Sequence, residues 1–442
     1  MSSLLSVGLD VGTTSTQLVV SRLTVENRAS SFAVPDMDIT ERTVLYKSPV
    51  YFTPLLDESH VDGAAIRAIV EQEYRKAGIR RKDVDTGAII ITGETSRKEN
   101  ARAVLDALSD YAGDFVVATA GPDLESVLAA KGAGAVDQSR DTGRTVLHMD
   151  IGGGTSNLAL IENGKILRTG CLNVGGRLIK FDECGKLTYV SNVLTGIFRR
   201  NPGEIATKEE LSALAEVLTQ GLEMAAGLRE PTGLMDQLLT EETERRWLPP
   251  EGKVVLSFSG GVADCIGQEL PWNRFGDLGP ILGQTIRRSR LCGGEFVLGS
   301  ETIRATVIGA GSHSTQLSGS TVYCQNVHFP LKNLPVVEKK EGFYEGSVVL
   351  SVPSIPSPSY GQVRLLAQEL AKDSPAELYI CLETDMAKAL GQALATRLPR
   401  ETRILCIDRI RVGEDSFLDI GEPIGGAFPV VVKTLVLERK NT

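Results

Sequence analysis

Apolar positions in this chain fall into short runs with two different periods. Residues 4–10 are almost wholly apolar until the last, an aspartate, and residues 16–23 form a second run after a tip of Gly, Thr and Ser. Runs of this length bounded by turn residues predict buried strands. A third strand is expected over residues 44–52. Ile66, Ile69, Val70 and Tyr74 then recur at helical spacing, and Gly78 stops that helix. Residues 88–92 predict a β-branched strand, a helix carries Ala101, Val104, Leu105 and Leu108, and residues 115–119 predict the next strand. A small-residue helix follows over 123–135. The order βββαβα describes one mixed-sheet α/β lobe.

The pattern then starts again. Asp10-Val11-Gly12-Thr13-Thr14-Ser15-Thr16 returns 140 residues on as Asp150-Ile151-Gly152-Gly153-Gly154-Thr155-Ser156. Gln17-Leu18-Val19-Val20 stays in register with Asn157-Leu158-Ala159-Leu160. Strands are expected at 145–150, 157–161 and 165–169, the last two joined by Asn163-Gly164, the strongest short-range hairpin signal. Thr207 and Glu210 form a capping box ahead of Leu211, Leu214, Val217, Leu218 and Leu222, which predicts a long amphipathic helix. A strand at 254–258 runs into Ser259-Gly260-Gly261-Val262, and a helix with Gly309 and Gly311 on one face is expected over 300–314. A third region opens near Pro330. Its prolines at 353, 356 and 358 exclude a helix or central strand over 351–358. Strands at 378–382 and 404–407, a helix at 387–398 and a β-rich tail complete it. The expected division is 1–144, 145–330 and 331–442.

The repeated tips carry chemistry. A strand-turn-strand tip of Gly and Thr aims N–H groups into one concavity that suits an oxyanion. An Asp ending the incoming strand is placed to hold Mg2+, which favours one or two carboxylates plus phosphate oxygens. Two such tips suit ATP, with Gly12, Thr13 and Thr14 on one side and Gly152, Gly153, Gly154 and Thr155 on the other. Asp10 and Asp150 are the metal carboxylates. No GxxxxGK[ST] occurs, so this is not a P-loop chain. Ile308-Gly309-Ala310-Gly311 begins like a dinucleotide fingerprint, but Ser314 stands where the third Gly belongs, so close helix packing is its reading. His148 shares a strand face with Asp150 and is read as a hydrogen-bonded histidine of the cleft wall. Gly175-Gly176-Arg177 offers either a phosphate contact or an exposed turn.

Composition narrows the partners. A chain of 442 residues has room for two or three domains. A net charge of −9 argues against nucleic acid and anionic membranes as partners. Seven Cys without a CxxC and four His without metal-ligand spacing read as reduced thiols in a cytoplasmic protein. No apolar run approaches the ~18 residues of a membrane span, and an apolar start cut short by Asp10 does not predict a secretory leader.

These motifs resemble the actin-like ATPase superfamily, which includes sugar kinases and heat-shock chaperones. Leu9-Asp10-Val11-Gly12-Thr13-Thr14 is similar to its first phosphate motif and Asp150-Ile151-Gly152-Gly153-Gly154-Thr155 to its second. Ser259-Gly260-Gly261 is similar to its adenosine motif. The small-residue stretches at 129–135 and 306–311 resemble its two connecting helices, which cross at the hinge. Within the superfamily the whole chain resembles the ethanolamine ammonia-lyase reactivating family, on Val7-Gly8-Leu9-Asp10, Ile91-Thr92-Gly93-Glu94-Thr95-Ser96-Arg97 and Thr306-Val307-Ile308-Gly309. The resemblance implies an actin-like ATPase fold, two ribonuclease-H-like βββαβα lobes around a nucleotide cleft, plus a C-terminal α/β region. It also implies a chaperone that spends ATP, with Mg2+, to release damaged cobalamin from ethanolamine ammonia-lyase. Adenosylcobalamin is then the client's cofactor. Heat-shock chaperones of this fold carry a catalytic Glu before the first connecting helix. Asp123 stands there, with Glu125 close by, and the residues leave catalysis and helix capping both open. Glu94 either faces the cleft or lies in a solvated loop. A small-molecule kinase and an actin-like filament former stay open as alternatives, as do oligomeric state and enclosure in a bacterial microcompartment.

Overall fold

The computed structural model describes the chain except for residues 1, 13–14, 28–36, 58–59, 93–99, 101–103, 105–107, 109–115, 120–121, 241–246, 300–301, 314, 319–320, 339–346, 353–354, 356, 373–374, 411, 413–415, 424–426 and 435–442. In the first lobe, β1 (Ser2–Val11), β2 (Ser15–Asn27) and β3 (Met37–Lys47) run antiparallel in turn. Then β4 (Thr86–Ile91) and β5 (Val116–Thr119) add parallel to β1, giving the order β3-β2-β1-β4-β5. β4 is buried along its whole length and β1 over most of it, which is why both read as unbroken apolar runs. β3 starts well before the expected position because residues 41–47 are mostly exposed and no apolar run marks the strand. Tyr51–Phe52 pairs separately with β2. Helix α1 (Gly63–Ala77) buries Ile66, Val70 and Tyr74. Most of the helix expected around Ala101 and Leu105 lies outside the described residues, although Val104 and Leu108 belong to this core.

The chain leaves through α2 (Pro122–Gly132) and α3 (Ala135–Thr142) into a second lobe of the same topology. Here β6 (Val146–Ile151), β7 (Ser156–Glu162) and β8 (Lys165–Leu172) are antiparallel, turning at Asn163 and Gly164 with positive φ. A small hairpin, β9 (Ile179–Phe181) and β10 (Leu187–Val190), stands apart. Helix α4 (Lys208–Ala225) begins at the expected box: Thr207 Oγ1 accepts the Glu210 N–H at 3.2 Å, and Glu210 accepts the Thr207 N–H at 2.9 Å. It buries Leu211, Leu214, Leu218 and Leu222, each worth about 1.5–3 kcal/mol. After α5 (Gly233–Leu238) come β11 (Val255–Ser259), α6 (Gly261–Gly267), α7 (Gly279–Arg288) and β12 (Phe296–Leu298). β11 and β12 add parallel to β6, so the order is β8-β7-β6-β11-β12, the first lobe's pattern repeated.

The two lobes exchange helices. α2 packs on β6, β7 and β8, whereas α8 (Ala305–His313), leaving the second lobe, packs on β1, β2 and β4. The two helices cross in contact. A methyl group at Gly132 would fall on the Ala305 carbonyl oxygen, and one at Gly309 on that of Leu128. Close approach is therefore what the small-residue stretches supply.

The C-terminal region is a third sheet. In chain order its strands are β13 (Thr315–Leu317), β14 (Tyr323–Gln325), β15 (Leu331–Glu338), β16 (Val349–Val352), β17 (Glu377–Leu382), β18 (Arg403–Ile407), β19 (Ser416–Ile420) and β20 (Pro429–Thr434). They lie in the order β13-β20-β19-β15-β16-β17-β18-β14, with β15 to β18 parallel. α9 (Tyr360–Leu370) and α10 (Ala387–Ala395) cover one face. The sheet takes in two short strands ahead of residue 331, and β16 ends before Pro353. Val431 packs with Ala88, Ile90, Leu128 and Ala310, joining this region to the first lobe and the crossing helices. No helix among the described residues is long and apolar enough to cross a membrane.

Candidate active site

A cleft of about 270 Å3 lies between the lobes and is lined by both tips. The tips are built alike: the Gly12 N–H donates to the Ser15 carbonyl at 2.9 Å, and the Gly152 N–H to that of Thr155 at 2.9 Å. Gly12, Gly152, Gly153, Gly154 and Thr155 line the cleft, while Thr13, Thr14 and Glu94 lie outside the described residues. The second tip is braced from behind, where the Gly176 N–H donates to the Gly152 carbonyl at 3.0 Å and the Arg177 N–H to that of Gly153 at 2.7 Å.

Asp10 and Asp150 both face this cleft and both are buried. Burial pushes the Asp10 carboxyl up to about 7; the Thr92 hydroxyl, donating at 3.0 Å, opposes the rise and the charge on Asp150 adds to it. Burial pushes Asp150 up to about 6, against hydrogen bonds from Ser259 Oγ at 2.5 Å and Thr306 Oγ1 at 3.4 Å. Carboxylates that repel each other share one site. Among the described residues no cationic side chain is paired with either, and no group of three or more His, Cys, Asp or Glu is placed to hold a metal. Such a donor set fits Mg2+ completed by phosphate and water, not a full protein cage. Behind Asp150, His148 lies between Ser257 and Ser259 at 3.0 and 2.9 Å, and burial pushes it down to about 3, so it is neutral.

Asp123 does not line the cleft. Its carboxylate accepts the Thr169 hydroxyl of β8 at 2.5 Å. Two residues along a helix turn a side chain about 200°, so Glu125 presents its carboxylate where Asp123 does not. Glu125 is buried, lines the cleft and accepts Asn157 Nδ2 at 2.9 Å. Asn157 and Gln17 hold the same position in the two copies. Gln17 Nε2 donates to the Ile303 carbonyl at 2.9 Å. The other amide atoms, Gln17 Oε1 and Asn157 Oδ1, are buried acceptors without a donor. Each orphan costs about 1–3 kcal/mol and marks a position suited to a water or ligand donor.

Ser259 spends its hydroxyl on Asp150, whereas Gly260 and Gly261 line the cleft. Gly260 has φ 87° and a side chain there would strike the Ile151 backbone, so the turn needs glycine. At the rim Arg177 sits 3.3 Å from Asp277, and its guanidinium lies 5.8 Å from the ring centre of Phe52 in the first lobe. Arg177 is the one cation among the described lining residues, against Asp10, Glu125, Asp150, Asp264 and Asp277. Nothing in the sequence assigns the hydroxyls of Thr92 and Thr306 to the aspartates, although both lie in stretches that carry the family resemblance, whereas the repeat pairs Gln17 with Asn157. A larger cavity of about 540 Å3, between α4 and α7, contains neither tip.

The family model described as ethanolamine utilisation protein EutA matches residues 2–347 and 343–438. The ethanolamine ammonia-lyase reactivases EutA of Salmonella typhimurium strain LT2 and Escherichia coli K12 are each 36% identical over 472 residues, covering 98% of this chain and 98% of the relative. Among solved structures, a Ppx/GppA family member from Aquifex aeolicus superposes with a TM-score of 0.43 at 13% identity, over 70% of this chain and 97% of that one. EutJ from Carboxydothermus hydrogenoformans gives 0.35 at 18%, over 69% and 88%. With matches that run from end to end, this chain belongs to the EutA family of ethanolamine utilisation proteins.

Proposed function

We propose that this chain is an ATP-dependent reactivase of ethanolamine ammonia-lyase, releasing damaged cobalamin so that intact adenosylcobalamin can enter the client. The observation that carries this reading is end-to-end relatedness to two proteins named for that task. The cleft supplies the machinery. The triphosphate lies between the tip at Gly12 and the tip at residues 152–155, with Gly260 and Gly261 beside the nucleoside. Asp10 and Asp150 hold Mg2+, which neutralises phosphate charge when bound. Glu125, a buried carboxylate lining the cleft, orients the attacking water and accepts its proton in this reading.

ATP then draws the lobes together across the α2–α8 crossing, and hydrolysis lets them part. The nucleotide moves the client only by the difference in client affinity between the two arrangements. In this reading residues 1–144 and 145–330 are the ATP-binding lobes, and 331–442 is a separate α/β region. The protein works in the cytoplasm, enclosed with its client where a microcompartment forms. Purified protein is expected to restore lyase inactivated by damaged cobalamin when given ATP, Mg2+ and adenosylcobalamin, and to fail without ATP. Restoration that is indifferent to ATP contradicts the proposal, and ATP use that depends on a small alcohol, with a phosphorylated product, points to a kinase instead.

A further inference from the structure

Behind Asp150 a chain of buried polar side chains runs away from the cleft. His148 and Asp150 alternate on one face of β6, and in the parallel pairing with β11 they lie opposite Ser257 and Ser259. All four are at most 8% exposed. Their hydrogen bonds have a fixed direction. Ionised Asp150 accepts the Ser259 hydroxyl at 2.5 Å. Ser259 has then given its only proton, so it must accept from His148 Nε2 at 2.9 Å. That assigns the imidazole hydrogen to Nε2 and leaves Nδ1 bare to accept the Ser257 hydroxyl at 3.0 Å. Thr306, from the crossing helix α8, donates to the other Asp150 oxygen at 3.4 Å.

Among the described residues the first lobe shows no such chain. Its equivalent positions place Gly8 opposite Ala88 and Asp10 opposite Ile90, and Asp10 takes a single described hydroxyl, that of Thr92. Gly8 serves packing there, since a methyl group would fall on the Val307 carbonyl of α8. Two tips closed by the same backbone hydrogen bond are therefore supported differently among the described residues.

We propose that His148 is a positioning residue: through Ser259 it holds the Asp150 carboxylate in a preset orientation for the divalent cation of a metal–nucleotide complex. This rests on the nucleotide reading of the cleft. A histidine behind a metal carboxylate acts as outer-shell partners do, and removing one typically costs 10–100-fold in metal affinity.

The test is calorimetric titration of ADP into wild type, His148→Phe, His148→Gln and Ser257→Ala, each with Mg2+ and with EDTA. The quantity read is the gain in ADP affinity that Mg2+ confers. His148→Phe is expected to cut that gain about tenfold while leaving metal-free affinity unchanged. His148→Gln, whose Nε2 can still donate to Ser259, keeps most of it. Ser257→Ala touches neither the carboxylate nor the cleft, yet it frees the tautomer and falls between wild type and His148→Phe. A wild-type gain in His148→Phe overturns the proposal, and should that variant not fold, a wild-type gain in Ser257→Ala does so alone. Wild-type protein that binds no ADP overturns the nucleotide reading itself, and this inference with it.

Discussion

Asp10 and Asp150 were legible because they recur: one acidic tip is an ordinary turn, but two in register are a pattern. Glu125 was harder to place. Which of two acids in a first helical turn faces a cleft depends on where the helix begins, and Pro122 as its first residue turns Asp123 towards Thr169. Glu125→Gln is accordingly expected to lower ATP turnover at least about 100-fold, the scale of a general base, with ADP affinity little changed; Asp123→Asn should keep turnover within about threefold of wild type, because its carboxylate meets β8 and not the reacting phosphate. Single-turnover hydrolysis distinguishes the two. Two buried, mutually repelling carboxylates also oppose folding. Their folded-state values are raised, so their contribution is most favourable below the unfolded carboxylate range and is lost as pH rises through about 6 and about 7. Asp10→Asn should raise the melting temperature of nucleotide-free protein at pH 8 by about 1 °C, the shift that about 1 kcal/mol gives a chain of 442 residues at about 2.1 cal/mol/K per residue. The gain should shrink towards pH 4, while Mg2+-dependent nucleotide binding is lost at every pH.

At the scale of elements, periodicity found what buries a face. α1, α4 and the Asn163-Gly164 hairpin lie where helical spacing, a capping box and a turn signal put them. It failed where burial is slight or elements are short. β3 is exposed along most of its second half, and β13 and β14 have three residues each, too few to show a period. The crossing of α2 and α8 was legible for a different reason, because only small residues permit two helix backbones to touch. Gly309→Ala puts a methyl group against the Leu128 backbone and should cost about 1–3 kcal/mol, as overpacking does, seen as a lower denaturant midpoint. Gly294→Ala, where a methyl group meets open space, serves as the control and should shift the midpoint little.

For the whole molecule, two copies of one topology exchange helices, so the packing of each lobe includes a helix from the other, and the proposed closure on ATP would act through both. The rim contact of Arg177 over Phe52 spans the same gap. ATP with Mg2+ should therefore reduce the radius of gyration in solution scattering, and Asp10→Ala with Asp150→Ala should abolish that change. All of this requires one triphosphate held between the two acidic tips. The measurement that meets it most directly is the structure of the protein with Mg2+ and a non-hydrolysable ATP analogue. The phosphates are expected between Gly12 and residues 152–155, with the metal against Asp10 and Asp150. A nucleotide seated instead in the cavity between α4 and α7, or a metal touching neither aspartate, would contradict it.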